Sequence, residues 1–259
     1  MNKNARSVSV VELRQAMQWH GISACIIPSA DPHLSEYPSN HWKTREWLSG
    51  FDGSAGTLVV TGNSAGLWTD SRYWLQAEKQ LKNTDIILYK DGLPETPDFI
   101  KWLSGHLPEG SKIAVDGKCV STEDWHKWEK TVSLIDLDLP SEIWTNRPPL
   151  PSEPFFTLDI KYSGRSALEK LADLRAEMRK QKADICLLTA LDDIAWLLNI
   201  RAKEILYNPV VTAFAVVEME NVILFHGQNY TAIYSYFSSL QNNPTCLVDI
   251  SKTNFSLYK

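Results

Sequence analysis

The sequence predicts an α/β fold of two similar domains, each a mixed sheet flanked by helices. Three observations lead there. Amphipathic helical stretches alternate with short apolar strands and a hairpin. A residue pattern of the first half returns in the second half without a gap. A proline-dense stretch separates the two copies.

The first domain begins with Val10, Leu13 and Met17, spaced for one face of a helix, with Ser9 as N-cap and Gly21 as stop. Residues 22–28 read as a buried strand, and Thr57–Thr61 and Ala65–Thr69 as a hairpin around Gly62-Asn63. Asp70 or Ser71 caps a helix through Tyr73, Leu75, Ala77 and Leu81. A strand over 86–89 follows, then a helix opened by Thr96-Pro97 with Pro97 at its first position. A strand over 113–115, a helix starting between Ser121 and Asp124 near Trp125 and Trp128, and a strand over 132–135 complete the set.

Pro140, Pro148, Pro149, Pro151 and Pro154 crowd residues 139–156, a density that continues neither a helix nor a central strand. The first domain is therefore placed at residues 1–150 and the second at residues 151–259.

The second domain opens with a helix whose stripe is Leu168, Leu171, Leu174 and Met178. Its Leu174-Arg175-x-x-Met178 mirrors Leu13-Arg14-x-x-Met17. At the same offset Cys186 answers Cys25, Leu187-Leu188 answers Ile26-Ile27, and Asp192 answers Asp31. After an insertion, Trp196-Leu197 answers Trp47-Leu48, and a second hairpin turns at Glu220-Asn221. A helix over 230–240 and a strand over 246–248, the counterpart of 86–89, end the chain, so the second copy is expected to be truncated. Its aromatics Tyr230, Tyr234, Tyr236 and Phe237 are expected to leave an exposed apolar patch that favours self-association.

Composition narrows function. A net charge of −5 and a pI near 5.7 give no electrostatic footprint for nucleic acid or an anionic membrane. No apolar stretch approaches the roughly 18 residues of a membrane span, and the polar start lacks a signal-peptide core. A cytoplasmic location is expected. Cys25, Cys119, Cys186 and Cys246 form no C-x-x-C pair and read as reduced cysteines, with Cys25 and Cys186 inside apolar runs. Ten tryptophans read as core and domain contacts.

Several long motifs stand in order. They are Asp31-Pro32-His33-Leu34-Ser35-Glu36-Tyr37, then Ser49-Gly50-Phe51-Asp52-Gly53-Ser54-Ala55-Gly56-Thr57, then Trp68-Thr69-Asp70-x-Arg72-Tyr73-x-x-Gln76-Ala77. The second half carries Thr189-Ala190-Leu191-Asp192-Asp193-Ile194-Ala195-Trp196-Leu197-Leu198-Asn199-Ile200-Arg201 and Asn208-Pro209-Val210. Together they resemble the N-terminal domains of three-domain Xaa-Pro aminopeptidases, in the creatinase/prolidase/aminopeptidase P family. The resemblance implies two ribonuclease-H-like domains preceding a "pita-bread" catalytic domain. It implies hydrolysis of the bond before a proline in second position, assisted by two divalent ions, usually manganese. Their Asp, His and Glu ligands belong to that third domain, and none of those motifs occurs in this sequence.

Candidate site residues are weighed on that basis. Asp52-Gly53-Ser54-Ala55-Gly56 fails G-x-S-x-G because Asp52 stands at the first glycine position, so it reads as a tight loop. Asp31, Asp52 and Asp70 as a magnesium cluster is a weaker reading, and the six histidines show no zinc spacing. His33, after a loop proline, is expected to hydrogen-bond locally. Arg72 is the leading substrate-proximal candidate, with Tyr73 and Asp52 counted beside it: in creatinase-like relatives a first-domain arginine reaches a neighbouring subunit's active site, binding a carboxylate bidentately. A pinning ion pair to Asp70 or Asp52 is the structural alternative. Arg201 and Asn208 are candidates for the face toward the catalytic domain.

The expected function is the non-catalytic N-terminal region of a metal-dependent Xaa-Pro aminopeptidase, restricting access to the active site and supporting a homodimer. The expected partners are its own C-terminal catalytic domain and a peptide with proline in second position. No cofactor is expected on this chain. The alternatives are a free-standing binding module of the same descent and, more remotely, an unrelated hydrolase or nuclease.

Overall fold

The computed structural model describes the backbone of residues 3–259 and the side chains from residue 9 onward. The first domain runs α1 (Lys3–Trp19), β1 (Ala24–Pro28), α2 (Thr44–Ser49), β2 (Thr57–Thr61), β3 (Ala65–Thr69), α3 (Trp74–Gln80), β4 (Ile86–Lys90), α4 (Phe99–His106), β5 (Lys112–Val115), α5 (Thr122–Trp128), β6 (Ser133–Asp136) and α6 (Pro140–Ile143). The second runs β7 (Phe156–Thr157), α7 (Ile160–Ser163), α8 (Ala167–Gln181), β8 (Ile185–Leu188), α9 (Leu191–Leu198), β9 (Ile200–Arg201), β10 (Ala213–Glu218), β11 (Val222–His226), α10 (Tyr230–Ser239), β12 (Cys246–Leu247) and α11 (Phe255–Tyr258).

The main sheets are mixed, ordered β4-β3-β2-β1-β5-β6 and β11-β10-β8-β12. Burial alternates as the strand period demands. Cys25 and Ile27 face one core with Leu13, Met17 and Leu48, while Ala24 and Ile26 face a second core with Trp102, Leu103 and Trp125. Each face is thus sealed by helices, which explains why β1 reads as a continuous apolar run.

The repeat holds down to single hydrogen bonds. Helix α1 ends when Gly21 turns left-handed (φ 63°) and Ile22 N–H donates to Met17 O at 2.8 Å. Helix α8 ends likewise, with Lys182 left-handed (φ 56°) and Ala183 N–H donating to Met178 O at 2.9 Å. Cys25 lies opposite Val60 in an antiparallel pair and Ala114 in a parallel one; Cys186 lies opposite Val217 and Leu247 in the same two senses. Arg14 Nε donates to Thr61 O at 3.0 Å, and Arg175 Nε to the equivalent Glu218 O at 2.9 Å.

Several expectations are corrected. Ser9 lies inside α1, which already includes Lys3, so it is not the helix N-cap. Asp70 and Ser71 do not cap α3; Tyr73 holds the cap position without a side-chain bond, because the Asp70 carboxylate is turned onto Arg72. Asp98, accepting from Ile100 N–H at 2.9 Å, caps α4, and Pro97 lies outside it. Leu168 is 77% exposed, and the buried side of α8 is Lys170, Leu171 and Met178. Pro140 stands in the first turn of α6, which interrupts the predicted connector. β12 pairs parallel with β8 and so takes the place of β5, not that of β4. Tyr230, Tyr236 and Phe237 pack onto the second domain's own core around Phe214 and Phe225, leaving Tyr234 as the exposed member, with its hydroxyl donating to Ser256 O.

Candidate functional site

The segment after α2 is tied by one buried cation. Arg45 donates from Nε to Ser29 Oγ (2.7 Å), from Nη1 to Phe51 O (2.7 Å) and from Nη2 to Gly53 O (2.5 Å). Burial pushes its guanidinium down to about 10, still charged at neutral pH. Those bonds hold the Phe51–Gly56 loop against β1. Gly53 is required there, because a Cβ would sit 2.3 Å from the Phe51 ring and 2.7 Å from Tyr73. Beyond it, Ser54 Oγ and Tyr73 Oη share a hydrogen bond of 2.7 Å.

Asp52 is exposed at this loop, and its Oδ1 accepts from the side-chain amides of Gln76 (2.5 Å) and Gln80 (2.6 Å). Arg72 is bidentate on Asp70, with Nε and Nη2 each 2.9 Å from a carboxylate oxygen, and lies over the Tyr73 ring at 5.3 Å. The hydrogen bonds from Arg72 hold the Asp70 carboxyl below its usual range, and the same pair raises Arg72. The ion pair is exposed, so solvent screens it and the guanidinium can trade Asp70 for another carboxylate cheaply.

The second domain contributes a turn. Asn208 N–H donates to Ile205 O at 3.1 Å, closing a turn whose Tyr207 is left-handed (φ 62°) and 96% exposed, with Leu206 77% exposed beside it. The turn is anchored by Glu204, whose buried carboxylate accepts from Thr212 N–H (2.6 Å) and Thr212 Oγ1 (2.8 Å) and meets His226 Nε2 at 3.1 Å. Arg201 donates to the carbonyls of Ala195 and Ile200, which fixes the entry to this segment.

Between the domains opens a cleft of about 590 Å³, lined by Asp52 and Ser54 on one side and by Glu204, Leu206 and Tyr207 on the other. Of the predicted residues, Asp52 lines it, Tyr73 reaches it through its bond to Ser54, Arg72 lies behind Tyr73, and Asn208 closes the turn that forms its far wall. Arg201 is held by carbonyls of its own domain. The Asp31–Asp52–Asp70 cluster does not form: Asp31 accepts from His33 N–H and Ser35 N–H, while the other two carboxylates are engaged as described. Among the described residues no set of His, Cys, Asp and Glu converges as a metal ion requires. His33 bonds locally through its backbone N–H to Asp31, and across domains through its ring: Nδ1–H faces Thr189 O at 2.8 Å and the ring packs on Phe214. Burial lowers its pKa, which keeps the ring neutral.

Arg45 and Glu204 escaped the sequence reading. A buried charge leaves no periodic signal, although the run Arg201-x-x-Glu204-x-x-x-Asn208-Pro209 marks where one of them stands.

Residues 10–144 match the family model described as Creatinase/Prolidase N-terminal domain, and residues 146–245 match a second model of the same description. The chain is 44% identical over 226 residues to a probable Xaa-Pro aminopeptidase P of Laccaria bicolor, covering 83% of this chain and 35% of that protein. It is 36% identical over 258 residues to Xaa-Pro aminopeptidase 2 of Homo sapiens, covering 93% and 37%. The chain thus spans little more than a third of the length of these curated relatives. The crystal structure of an X-prolyl aminopeptidase from Caenorhabditis elegans, described as a cytosolic enzyme with a di-nuclear active site, superposes with a TM-score of 0.79 at 29% identity, over 94% of this chain and 42% of that one.

Proposed function

The chain belongs to the creatinase/prolidase N-terminal domain family, and from that premise we propose that it forms the paired non-catalytic N-terminal domains of a metal-dependent Xaa-Pro aminopeptidase. Such an enzyme releases an N-terminal residue that precedes proline. Two divalent ions, manganese in this reading, supply the activated water in a catalytic domain C-terminal to this region. The described residues of this chain fit no such pair, so no step runs through them.

The role assigned to the pair is steric and positional. The observation that carries it is the interdomain cleft, with Tyr37, Leu206 and Tyr207 at its walls and Arg72 lying over Tyr73, whose hydroxyl bonds the wall residue Ser54. Walls of that kind admit a short peptide and turn away a folded protein. Arg72 offers a guanidinium to a substrate or partner carboxylate in exchange for Asp70. A homodimer and a cytoplasmic location complete the proposal. Location is supported by the cytosolic description of the nematode enzyme, and no helix among the described residues is long and apolar enough to cross a membrane.

The test compares the isolated chain with a full-length enzyme carrying it. With manganese added, the full-length enzyme is expected to cleave an Arg-Pro-Pro peptide and the isolated chain is not. Metal-dependent cleavage by the rigorously purified chain overturns the reading. In the full-length enzyme, Arg72→Ala is expected to lower kcat/KM by about 10- to 100-fold. Unaltered kinetics with lowered thermal stability assigns Arg72 to pinning the loop instead.

A further inference from the structure

The two domains meet through the same segment used twice. After β5, Asp116 accepts from Lys118 N–H at 3.0 Å and Ser121 caps α5 by accepting from Asp124 N–H at 2.9 Å. After β12, Asp249 accepts from Ser251 N–H at 2.9 Å and Asn254 caps α11 by accepting from Leu257 N–H at 3.0 Å. The spacing is identical throughout, so α11 is the counterpart of α5, Thr122 that of Phe255, and Val120 that of Thr253.

These counterparts bond to each other across the boundary. Thr122 N–H donates to Thr253 O at 2.9 Å, and Phe255 N–H donates to Val120 O at 3.0 Å. Exchanging each residue for its counterpart turns one bond into the other. A reciprocal pair of that kind defines a local two-fold axis, passing between the cap residues Ser121 and Asn254, which form an antiparallel bridge. Side chains seal the axis: the Trp125 and Phe255 rings stack at 3.8 Å, and Asn254 Nδ2 donates to Pro32 O at 2.7 Å. Asp136 of the first domain accepts from Ser256 Oγ and Lys259 Nζ of the second. The approach is close enough that a Cβ on Gly117 would stand 2.7 Å from Ser256 Oγ.

We infer that this pseudo-two-fold joint locks the two domains into one rigid body that opens and unfolds as a unit. Backbone hydrogen bonds run both ways across it, so neither domain can rotate without leaving buried N–H and C=O groups unpaired. The inference goes beyond the proposed function and does not depend on it.

The experiment is hydrogen exchange of the 259-residue chain across a urea series, read by mass spectrometry on peptides from β1 and from β8. In the unaltered protein both strands are expected to lose protection at one urea concentration. Gly117→Val, a wedge driven into the joint, is expected to separate them, with β8 exchanging at least 10-fold faster than β1 at intermediate urea. If that variant fails to fold, Phe255→Ala, which removes the stack without adding volume, is read in its place with the same expectation. Separate opening of β1 and β8 in the unaltered protein overturns the inference, and so does a variant in which both strands still open together.

Discussion

The first and second domains share a backbone plan and differ in what their side chains do with it. In both, a helix ends on a left-handed residue, a strand follows, and an arginine from the helix ties down the far end of the neighbouring strand. Yet Trp47 in α2 stacks on Trp144 at 4.8 Å, whereas its counterpart Trp196 in α9 is 55% exposed and covers Lys170 instead. Asp116 is half-buried beside Asp138, while its counterpart Asp249 is exposed on a turn. Strand register and caps set the fold; the surfaces laid on them are free to diverge, and the candidate site draws on those surfaces.

That contrast can be broken or sharpened by paired substitutions. The largest effect is expected for Leu13→Ala, since Leu13 is fully buried between α1 and the sheet, at about 3–4 kcal/mol. Its counterpart Leu174 is only partly buried, and Leu174→Ala is expected to cost about 1 kcal/mol. Urea denaturation measures both, and equal losses would mean that the two helices are packed alike.

Next comes pH. Burial, then the Asp138 charge, raises the Asp116 carboxyl to about 6, above the roughly 3.9 of an unfolded chain. The folded state therefore binds the proton more tightly, and the stability Asp116 contributes is complete below about pH 4 and lost as pH rises through about 6, on the order of 3 kcal/mol. Asp249 has the opposite sign. Hydrogen bonds from Ser251 lower its carboxyl, so its contribution is present at neutral pH and lost below about pH 4, well under 1 kcal/mol after solvent screening. Stability against pH for Asp116→Asn should lose the decline between pH 4 and 6, and for Asp249→Asn it should keep it. An unchanged decline in Asp116→Asn refutes the assignment.

The smallest effect concerns the two left-handed caps. Gly21→Ala is expected to destabilise by about 1 kcal/mol, and Lys182→Gly to stabilise by about 0.5 kcal/mol, as Tm shifts of opposite sign.

The sequence revealed most where structure is local. The match from Leu13 to Asp31 against residues 174–192 exposed the repeat because helix stripe, cap and strand lie within one uninterrupted segment. It misled where pairing is distant. Nothing near Cys246 tells whether its strand joins the sheet beside β11, as β4 does beside β3, or beside β8. Caps were ambiguous for a related reason: Asp70 has the right side chain, but Arg72 competes for it. For the site, resemblance brought out Asp52, which lines the cleft, and Tyr73 and Asn208, each of which bonds one residue that lines it. Arg45 and Glu204 remained hidden because their partners are mostly backbone groups and hydroxyls, which carry no sequence pattern.

The joint has a consequence for how the chain is made. Thr122 and Thr253 are 131 residues apart, so the first domain leaves the ribosome long before the segment that covers Trp125 and Asp136 exists. At about 5–20 residues per second, that interval is roughly 7–26 s. Throughout it the first domain presents an apolar ring and an unfilled notch at Gly117, open to chaperones and to other nascent chains, until synthesis of α11 closes them.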